Sequence, residues 1–288
     1  MSSTTSCPLC RDGGPFNVFY SNRQTGDRWL VYLECPSCGF IFLERVPKQG
    51  EITLHYQDIR IQTDASPVFR EKSHGAARHL LGLLEPYVRR GRLLDLGAGG
   101  GYYMDAAEQL GWEVYGVDPA AGDTGQPLRK RLFRGTLEDA HFQPNFFEAC
   151  LMSHTLSHLL DPVGTLRQVF RVLKERGILL VVIPNFLRLG KDLETQQGEL
   201  IRGKHLYLFS PPTARRMLEQ ADFEVLSLDM GQSILSGEKV DQLNIRLLSW
   251  LKAIGSPFLT RPKRVLRAWA GKLCPGPSFT VIARKLIR

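Results

Sequence analysis

The glycine-rich segment LLDLGAGGGYY, residues 93–103, constrains the fold of this chain more than any other stretch. It places Gly97, Gly99 and Gly101 directly after a short apolar run. Glycine is favoured where the backbone turns with a positive φ, or where a ligand must approach without meeting a Cβ atom. In a parallel α/β sheet, such a turn joins the first strand to the next helix and borders a ligand-binding crevice. The segment therefore predicts an α/β fold with a ligand at this turn.

The spacing of the glycines narrows the class of ligand. A dinucleotide fingerprint counted from Gly97 requires a glycine at position 102, which is Tyr102. A phosphate-binding P-loop requires Lys followed by Ser or Thr after its last glycine, and this segment has neither. What remains is D-x-G-x-G-x-G led by Asp95, with Asp118 at the end of the second predicted strand, where a carboxylate can bind both ribose hydroxyls. This combination favours a nucleoside with a charged amino-acid tail.

Beyond residue 91, short apolar strands alternate with helical stretches, as a parallel sheet requires. Seven strands are predicted at residues 92–96, 113–118, 131–134, 147–152, 177–183, 223–229 and 279–284. Helices are predicted at residues 102–110, 162–174 and 211–220, and the pattern is also helical within residues 65–90. The predicted domains are a cysteine module at 1–46, a linker with N-terminal helices at 47–90, and an α/β domain at 91–288 with a helical insertion at 238–275.

Two C-x-x-C pairs, separated by 24 residues, indicate a metal site near the amino terminus. The four sulfur atoms of Cys7, Cys10, Cys35 and Cys38 can form a closed tetrahedral site, which is typical of a structural zinc ribbon. A redox C-x-x-C would need only one pair and a βαβ context. A module of this size with few large apolar groups needs such a metal to fold.

Four segments together resemble the class I S-adenosylmethionine-dependent methyltransferases: LLDLGAGGGYY, EVYGVDP, FFEACLMSHTLSHLLDPVGTLRQVFRVLKERGILLVVIPN and HLYLFSPPTARRMLEQADFEVL. The resemblance covers roughly residues 50–230 and the last strand. It is closest to the methyltransferase-23-like type, which modifies small molecules or sugars. It implies a Rossmann-like sheet of seven strands, in which the last strand is antiparallel and lies between the fifth and the sixth.

The same resemblance implies a set of residues that bind S-adenosylmethionine. By position, these are Asp95, Gly97, Ala98, Gly99, Gly101, Asp118, Pro119, Thr136, Leu137, Ser153 and His158. Asp95 and the glycine loop would hold the methionine part, Asp118 the ribose, and Thr136 and Leu137 the adenine. Glu148–Ala149 departs from the pattern of an Asp followed by an apolar residue, and we expect this to affect strand packing rather than chemistry.

Histidines are the candidate general bases, because their pKa suits proton transfer near neutral pH. His154 follows the fourth strand, and His205 lies in GKHLYLFSPPT, on the side of the sheet where ligands bind. Some sugar methyltransferases with an amino-terminal zinc module carry a His/Tyr cluster in this region, matched here by His205 and Tyr207. The two candidate catalytic residues are therefore His205 and His154. A packed or capping histidine is the alternative for each of them, and for His158 as well.

The net charge of +8 is concentrated at the carboxyl end of the chain. Ten of the 37 Lys and Arg residues but only one of the 29 acidic residues lie beyond residue 240, so the rest of the chain is nearly neutral. Segment 238–275 fits either a helical lid packed on the body or a basic amphipathic helix at an anionic membrane or substrate. The chain has no secretion signal or long apolar run, which predicts a cytoplasmic protein, with peripheral contact at the inner membrane face as an open alternative.

Three functions from different classes fit these features. The first is S-adenosylmethionine-dependent methyl transfer to a small-molecule or glycan-linked acceptor by in-line displacement. The second is methylation of RNA or protein, gripped by the zinc ribbon and the basic segment. Methylation of nucleic-acid bases is not favoured, because SHTL and IPNF follow the fourth and fifth strands in place of an Asn-Pro-Pro-Tyr-like signature. The third is a binding module without catalysis, against which the intact glycine loop and Asp118 argue.

Overall fold

The computed structural model describes residues 2–3, 5–23, 29–48, 50, 67–121, 131–185, 205–229, 234–235 and 278–287. The strands are β1 (Ser2–Ser3), β2 (Asn17–Arg23), β3 (Trp29–Glu34), β4 (Ile41–Leu43), β5 (Arg45–Val46), β6 (Arg92–Leu96), β7 (Glu113–Val117), β8 (Leu132–Phe133), β9 (Phe147–Ser153), β10 (Leu173–Pro184), β11 (Tyr207–Leu208), β12 (Phe223–Asp229), β13 (Ile234–Leu235) and β14 (Ser278–Lys285). The helices are α1 (Pro67–Gly82), α2 (Tyr102–Gln109), α3 (Pro162–Val172) and α4 (Pro211–Glu219), and a short 3₁₀ helix spans Leu156–His158.

The main sheet has the strand order β13-β12-β14-β10-β9-β6-β7-β8. Strands β6 to β10 of this sheet pair in parallel, whereas β14 is antiparallel to both β10 and β12. The prediction of seven strands, with the last one antiparallel between the fifth and sixth, is confirmed. The two-residue strand β13 adds a short antiparallel partner at the edge of β12.

The predicted strand bounds agree with the structure to within two residues, except at the start of β10. The helix predicted at 162–174 was two residues too long, because α3 ends at Val172 and β10 begins at Leu173. Leu173 pairs with Phe147 of β9, and the regular register resumes only at Ile178. This irregularity is set by pairing with β9, which the local hydrophobic pattern does not reveal.

Helices cover both faces of the main sheet and create two hydrophobic clusters. On one face, Leu81 of α1 and Leu84 just after it pack with Met104 and Ala107 of α2 against the sheet. The cluster on the other face combines α3, α4 and the buried side chains that follow the cysteine pairs. Central strands such as β10 are buried on both faces, which explains their unbroken apolar sequence. Ligands of open α/β sheets bind outside the carboxyl ends of the strands, which here include those of β6, β7 and β9.

A second, antiparallel sheet has the order β11-β4-β3-β2. We call residues 5–46, which carry both cysteine pairs and β2 to β4, the cysteine module. The fourth strand of this sheet, β11, comes from the segment between β10 and α4. Its Tyr207 pairs with Phe42, and its Leu208 pairs with Ile41. The module is therefore joined to the larger domain by backbone hydrogen bonds as well as by side-chain packing.

Glu148, which departs from the family pattern, links three parts of the main sheet. One of its carboxylate oxygens accepts a hydrogen bond from the amide of Arg92 at 2.5 Å, and the other contacts the ammonium group of Lys174. A Cβ on Gly91 would lie 2.6 Å from the carboxyl carbon of Glu148. These contacts support the expected role of Glu148 in strand packing.

The helical insertion predicted at 238–275 lies outside the described residues. The lid and the membrane-surface helix therefore both stay predictions. Within the described part of the chain, no helix is long and apolar enough to cross a membrane.

Candidate active site and cysteine cluster

The glycine loop turns sharply between β6 and α2. Three of its four glycines have positive φ angles, of 83° at Gly97, 52° at Gly99 and 79° at Gly101. The amides of Gly97 and Ala98 donate to the carbonyl oxygen of Val117 on β7, at 2.8 and 3.3 Å. A Cβ on Gly97 would lie 2.2 Å from Oγ1 of Thr155, whereas a Cβ on Gly99 would meet no atom of the described residues within 4 Å. Packing therefore requires Gly97 to lack a side chain, while Gly99 borders open space.

Asp118 holds the glycine loop next to the end of β7. Its Oδ2 accepts a hydrogen bond from the amide of Gly99 at 2.9 Å, and its Oδ1 accepts one from the amide of Ala120 at 2.7 Å, beyond Pro119. The amide of Asp118 itself donates to the carbonyl oxygen of Phe133 on β8 at 3.1 Å. A carboxylate offers about four acceptor sites, and binding of a ribose diol by Asp118 stays a prediction.

Asp95 is a buried carboxyl group at the carboxyl end of β6. Its side chain is 3% exposed, and among the described residues no hydrogen-bond donor reaches its Oδ2. Burial, together with the nearby charge of Asp118, raises the pKa of Asp95 to about 7. A buried carboxylate is costly unless a cation or several donors compensate it. The ammonium group of a bound amino-acid tail would supply that compensation, so Asp95 fits the methionine end of S-adenosylmethionine.

Thr136 and Leu137 lie after β8, at the same edge of the sheet. The amide and hydroxyl of Thr136 donate to Oδ2 of Asp139 at 3.1 and 2.7 Å, and these bonds lower the pKa of Asp139. Leu137 is buried. The turn is thus fixed by its own hydrogen bonds, and its contact with adenine stays a prediction.

The segment after β9 faces the glycine loop. Oγ1 of Thr155 donates to the carbonyl oxygen of Leu96 at 2.9 Å, which ties this segment to the end of β6. Ser153 Oγ lies 3.4 Å from the hydroxyl of Tyr103, a half-buried side chain in the first turn of α2. His154 is exposed and has a φ of 57°, and its amide donates to Val182 of β10 at 2.9 Å. A non-glycine residue with positive φ is uncommon and is enriched at functional sites.

The structure brings His158 and His205 together, although they are far apart in the sequence. Their ring centroids are 4.5 Å apart, with 36° between the ring planes. Leu206 donates its amide to the carbonyl oxygen of Ser157 at 2.8 Å, which fixes His205 beside the 3₁₀ helix. The tyrosine of the expected His/Tyr cluster, Tyr207, donates its hydroxyl to the carbonyl oxygen of Leu160 at 3.0 Å. Burial raises the pKa of Tyr207 to about 12, so it is a structural donor rather than a base.

Sequence reasoning missed three residues near these groups. Tyr103 lies two positions after the last glycine, a spacing that could have pointed to it. Thr155 and Tyr32 had no local signal, because their partners come from other parts of the chain. Tyr32 donates its hydroxyl to the carbonyl oxygen of His205 at 2.5 Å, across the boundary between the cysteine module and the larger domain.

The four predicted cysteines form a compact cluster. Sγ of Cys7 lies 3.6 Å from Sγ of Cys38, and Sγ of Cys10 lies 3.5 Å from Sγ of Cys35. All four sulfur atoms lie within 4.8 Å of one another, and none forms a disulfide. The amide of Gly39, which has a φ of 73°, closes the second pair by donating to the carbonyl oxygen of Cys35 at 2.8 Å.

These distances fit a single tetrahedral metal ion. Zinc–sulfur bonds of about 2.3 Å place tetrahedral sulfur atoms roughly 3.8 Å apart, close to the separations in this cluster. Burial raises the pKa of the Cys7 thiol to about 11, so a metal that binds there must displace protons. The cysteine cluster can therefore hold a metal ion, with an affinity that rises with pH.

Comparison with known proteins identifies the larger domain. A family profile described as a methyltransferase domain matches residues 69–228, which is more than half of the chain. No curated protein sequence matches the chain. Among solved structures, the 1,6-didemethyltoxoflavin-N1-methyltransferase of Burkholderia thailandensis, with bound 1,6-didemethyltoxoflavin and S-adenosylhomocysteine, is similar in fold. It has 15% identity and a TM-score of 0.51, over 93% of this chain and 99% of that chain.

Two further solved structures show weaker similarity. A methyltransferase from Archaeoglobus fulgidus has 16% identity and a TM-score of 0.49, over 80% of this chain and 100% of that chain. Another, from Thermotoga maritima, has 18% identity and a TM-score of 0.48, over 73% of this chain and 89% of that chain. Three observations indicate the same family: the profile match, the strand order, and the glycine loop with its two carboxylates. This chain belongs to the methyltransferase-domain family of class I S-adenosylmethionine-dependent methyltransferases.

Proposed function

We propose that this protein transfers a methyl group from S-adenosylmethionine to a small-molecule or glycan-linked acceptor by in-line displacement, and that its cysteine cluster holds a structural zinc ion. The observation that carries the proposal is the pair of carboxylates, Asp95 and Asp118, on either side of the open backbone at Gly99. The 1,6-didemethyltoxoflavin bound to the similar Burkholderia thailandensis enzyme is a small-molecule acceptor of the kind proposed.

In the proposed complex, each end of the cofactor has a partner of suitable chemistry. When bound, S-adenosylmethionine supplies a methyl group on a positively charged sulfur, already activated for displacement. Asp95 binds the ammonium group of the amino-acid tail, and Asp118 accepts hydrogen bonds from the ribose hydroxyls. The open space at Gly99 admits the part of the cofactor that joins the amino-acid tail to the ribose. Ser153 and Tyr103 line the adjoining part of the crevice.

On the acceptor side, His205 is the proposed general base. It lies on the segment that follows β10, at the carboxyl edge of the sheet, and its ring packs against His158. An imidazole can remove a hydroxyl or ammonium proton near neutral pH as the acceptor attacks the methyl group. His154 is the second candidate, because it is exposed, directly follows β9 and has an uncommon positive φ.

Titration calorimetry and a labelled transfer screen test this proposal directly. The purified chain should bind S-adenosylmethionine and S-adenosylhomocysteine, and should label at least one sugar nucleotide, lipid-linked glycan or small phenol with radioactive methyl. Absence of cofactor binding would favour a function outside methyl transfer. Labelling of RNA or protein alone would favour the macromolecular alternative.

Two glycine variants separate the folding role of the loop from its binding role. Gly97→Ala should lower the free energy of unfolding by about 2–4 kcal/mol, because its Cβ overlaps Thr155 and its φ is strained. Gly99→Ala should cost roughly 1–2 kcal/mol of stability from its φ alone, yet weaken S-adenosylmethionine binding by about tenfold or more. Urea unfolding and titration calorimetry measure the two effects. Unchanged affinity in Gly99→Ala would show that the cofactor lies elsewhere.

A further inference from the structure

The segment that carries the candidate base also provides a strand to the sheet formed by the cysteine module. Residues 205–209 lie between β10 and α4, and β11 within them pairs with β4 of the module. The amide of Leu43, at the end of β4, donates to the carbonyl oxygen of Leu206 at 2.9 Å. The module's sheet therefore sets the backbone position of the residues that directly follow His205.

A fully buried tyrosine connects the module with His205 itself. The hydroxyl of Tyr32, on β3, donates to the carbonyl oxygen of His205 at 2.5 Å. Tyr32 has no exposed surface, and burial raises the pKa of its hydroxyl, so it stays a protonated donor. Because the bond is made to the backbone of His205, it restrains the position of the imidazole without using either ring nitrogen.

Both cysteine pairs contact the elements that surround this segment. Phe40 follows the second pair, and its carbonyl oxygen accepts a hydrogen bond from the amide of Cys35 at 2.9 Å. The ring of Phe40 stacks on Tyr207 with a centroid distance of 5.6 Å. In the first pair, the carbonyl oxygen of Leu9 accepts a hydrogen bond from Nε2 of Gln220, at the end of α4, at 2.8 Å. A displacement of the cysteine cluster would therefore be transmitted to residues 205–209 both through Phe40 and through Gln220 at the end of α4.

The cofactor side of the site is built differently. Gly97 and Ala98 bond to β7, and Asp118 bonds to the glycine loop and to β8, all within the main sheet. The candidate base instead lies between the module and the 3₁₀ helix that carries His158. The hydrogen bonds that hold the two halves of the site thus come from different parts of the molecule.

We propose that the metal-binding cysteine module is a structural part of the acceptor half of the active site, and that Tyr32 is a positioning residue that holds His205 against His158. The inference rests on the proposed function only for the catalytic role of His205. It implies that loss of the metal or of the Tyr32 hydroxyl displaces His205 while cofactor binding persists.

Hydrogen–deuterium exchange of the full chain, with and without its metal, tests the coupling without any acceptor. Metal would be removed with a chelator and its content measured by atomic emission. The amide exchange rates of residues 205–209 and 41–43 should rise by about tenfold or more, because each loses the protection that roughly one hydrogen bond provides. Exchange in β7 should stay unchanged, and affinity for S-adenosylmethionine should change by less than about twofold. Unchanged exchange at 205–209 after metal loss would overturn the inference.

Tyr32→Phe tests the same coupling if the metal-free chain unfolds as a whole. The matched control is Tyr115→Phe, which removes a hydroxyl that bonds to Glu113 on β7, at 2.8 Å. In Tyr32→Phe, the imidazole NMR signals of His205 should shift and exchange at 205–209 should rise by about tenfold, whereas the control should change neither. Identical His205 signals in wild type and Tyr32→Phe would overturn the positioning role. Failure of the proposed function would appear separately, as a wild-type chain that does not bind S-adenosylmethionine.

Discussion

Replacing Asp95 with Asn is expected to weaken S-adenosylmethionine binding by about 100-fold or more, or roughly 2.7 kcal/mol. The substitution keeps the size of the side chain but removes the charge that would pair with the ammonium group of the cofactor. A buried charge pair that loses one partner costs several kcal/mol, because the other charge remains desolvated. Titration calorimetry at pH 8 measures the effect, with Glu224→Gln as a control at an exposed carboxylate on β12. Affinity within a few-fold of wild type would remove Asp95 from the binding site.

The same substitution should stabilise the cofactor-free protein. The pKa of Asp95 is raised from 3.8 to about 7 on folding, so the folded state holds a proton that the unfolded state has released. Stability is therefore lost as the pH rises through this interval, by at most about 4 kcal/mol above pH 7. Asn cannot ionise, so the advantage of Asp95→Asn should grow between pH 5 and pH 8. Urea unfolding at both pH values measures it, and an advantage that does not change with pH would contradict the assignment.

Cofactor affinity of the wild-type protein should fall as the pH drops below about 7, because protonated Asp95 no longer pairs with an ammonium group. The neighbouring Cys150 and Tyr103 stay protonated throughout this range, since burial raises the pKa of both. Calorimetry in buffers of different ionisation enthalpy should detect proton release on binding near pH 6. Asp95→Asn should show neither the pH dependence nor the release, and a variant that retains both would assign them to another group.

His205→Ala is expected to reduce methyl transfer by about 100-fold or more, with cofactor affinity unchanged within about twofold. The loss follows from removal of the general base, while the cofactor side of the site is held by β6 to β8. Turnover of the acceptor found in the labelled screen measures the effect. His79→Ala, at an exposed position on α1, is the control. Full activity in His205→Ala combined with a loss in His154→Ala would make His154 the base.

Much of the main sheet could be predicted because its signals are local. The bounds of β6 and β12 matched to the residue, since each strand carries its own local hydrophobic pattern. The cofactor loop was predicted from glycine spacing and two aspartates, and its contact with the cofactor stays a prediction. The start of β10 was not predicted, because Leu173 joins the sheet through pairing with β9 rather than through its own pattern. The strand β11 was missed for the same reason, because two residues carry no periodicity.

By itself, the sequence determined the local chemistry of this protein. Spacing alone places three glycines, two aspartates and four cysteines at or next to the turns where a nucleoside and a metal are predicted to bind. Only the tertiary structure decided that Asp95 is buried beside Asp118, that His205 packs on His158, and that Tyr32 holds the backbone of His205. These relations join residues that are distant in the chain. Pairing of β6 with β7 sets the first of them, and contact of the cysteine module with residues 205–209 sets the third.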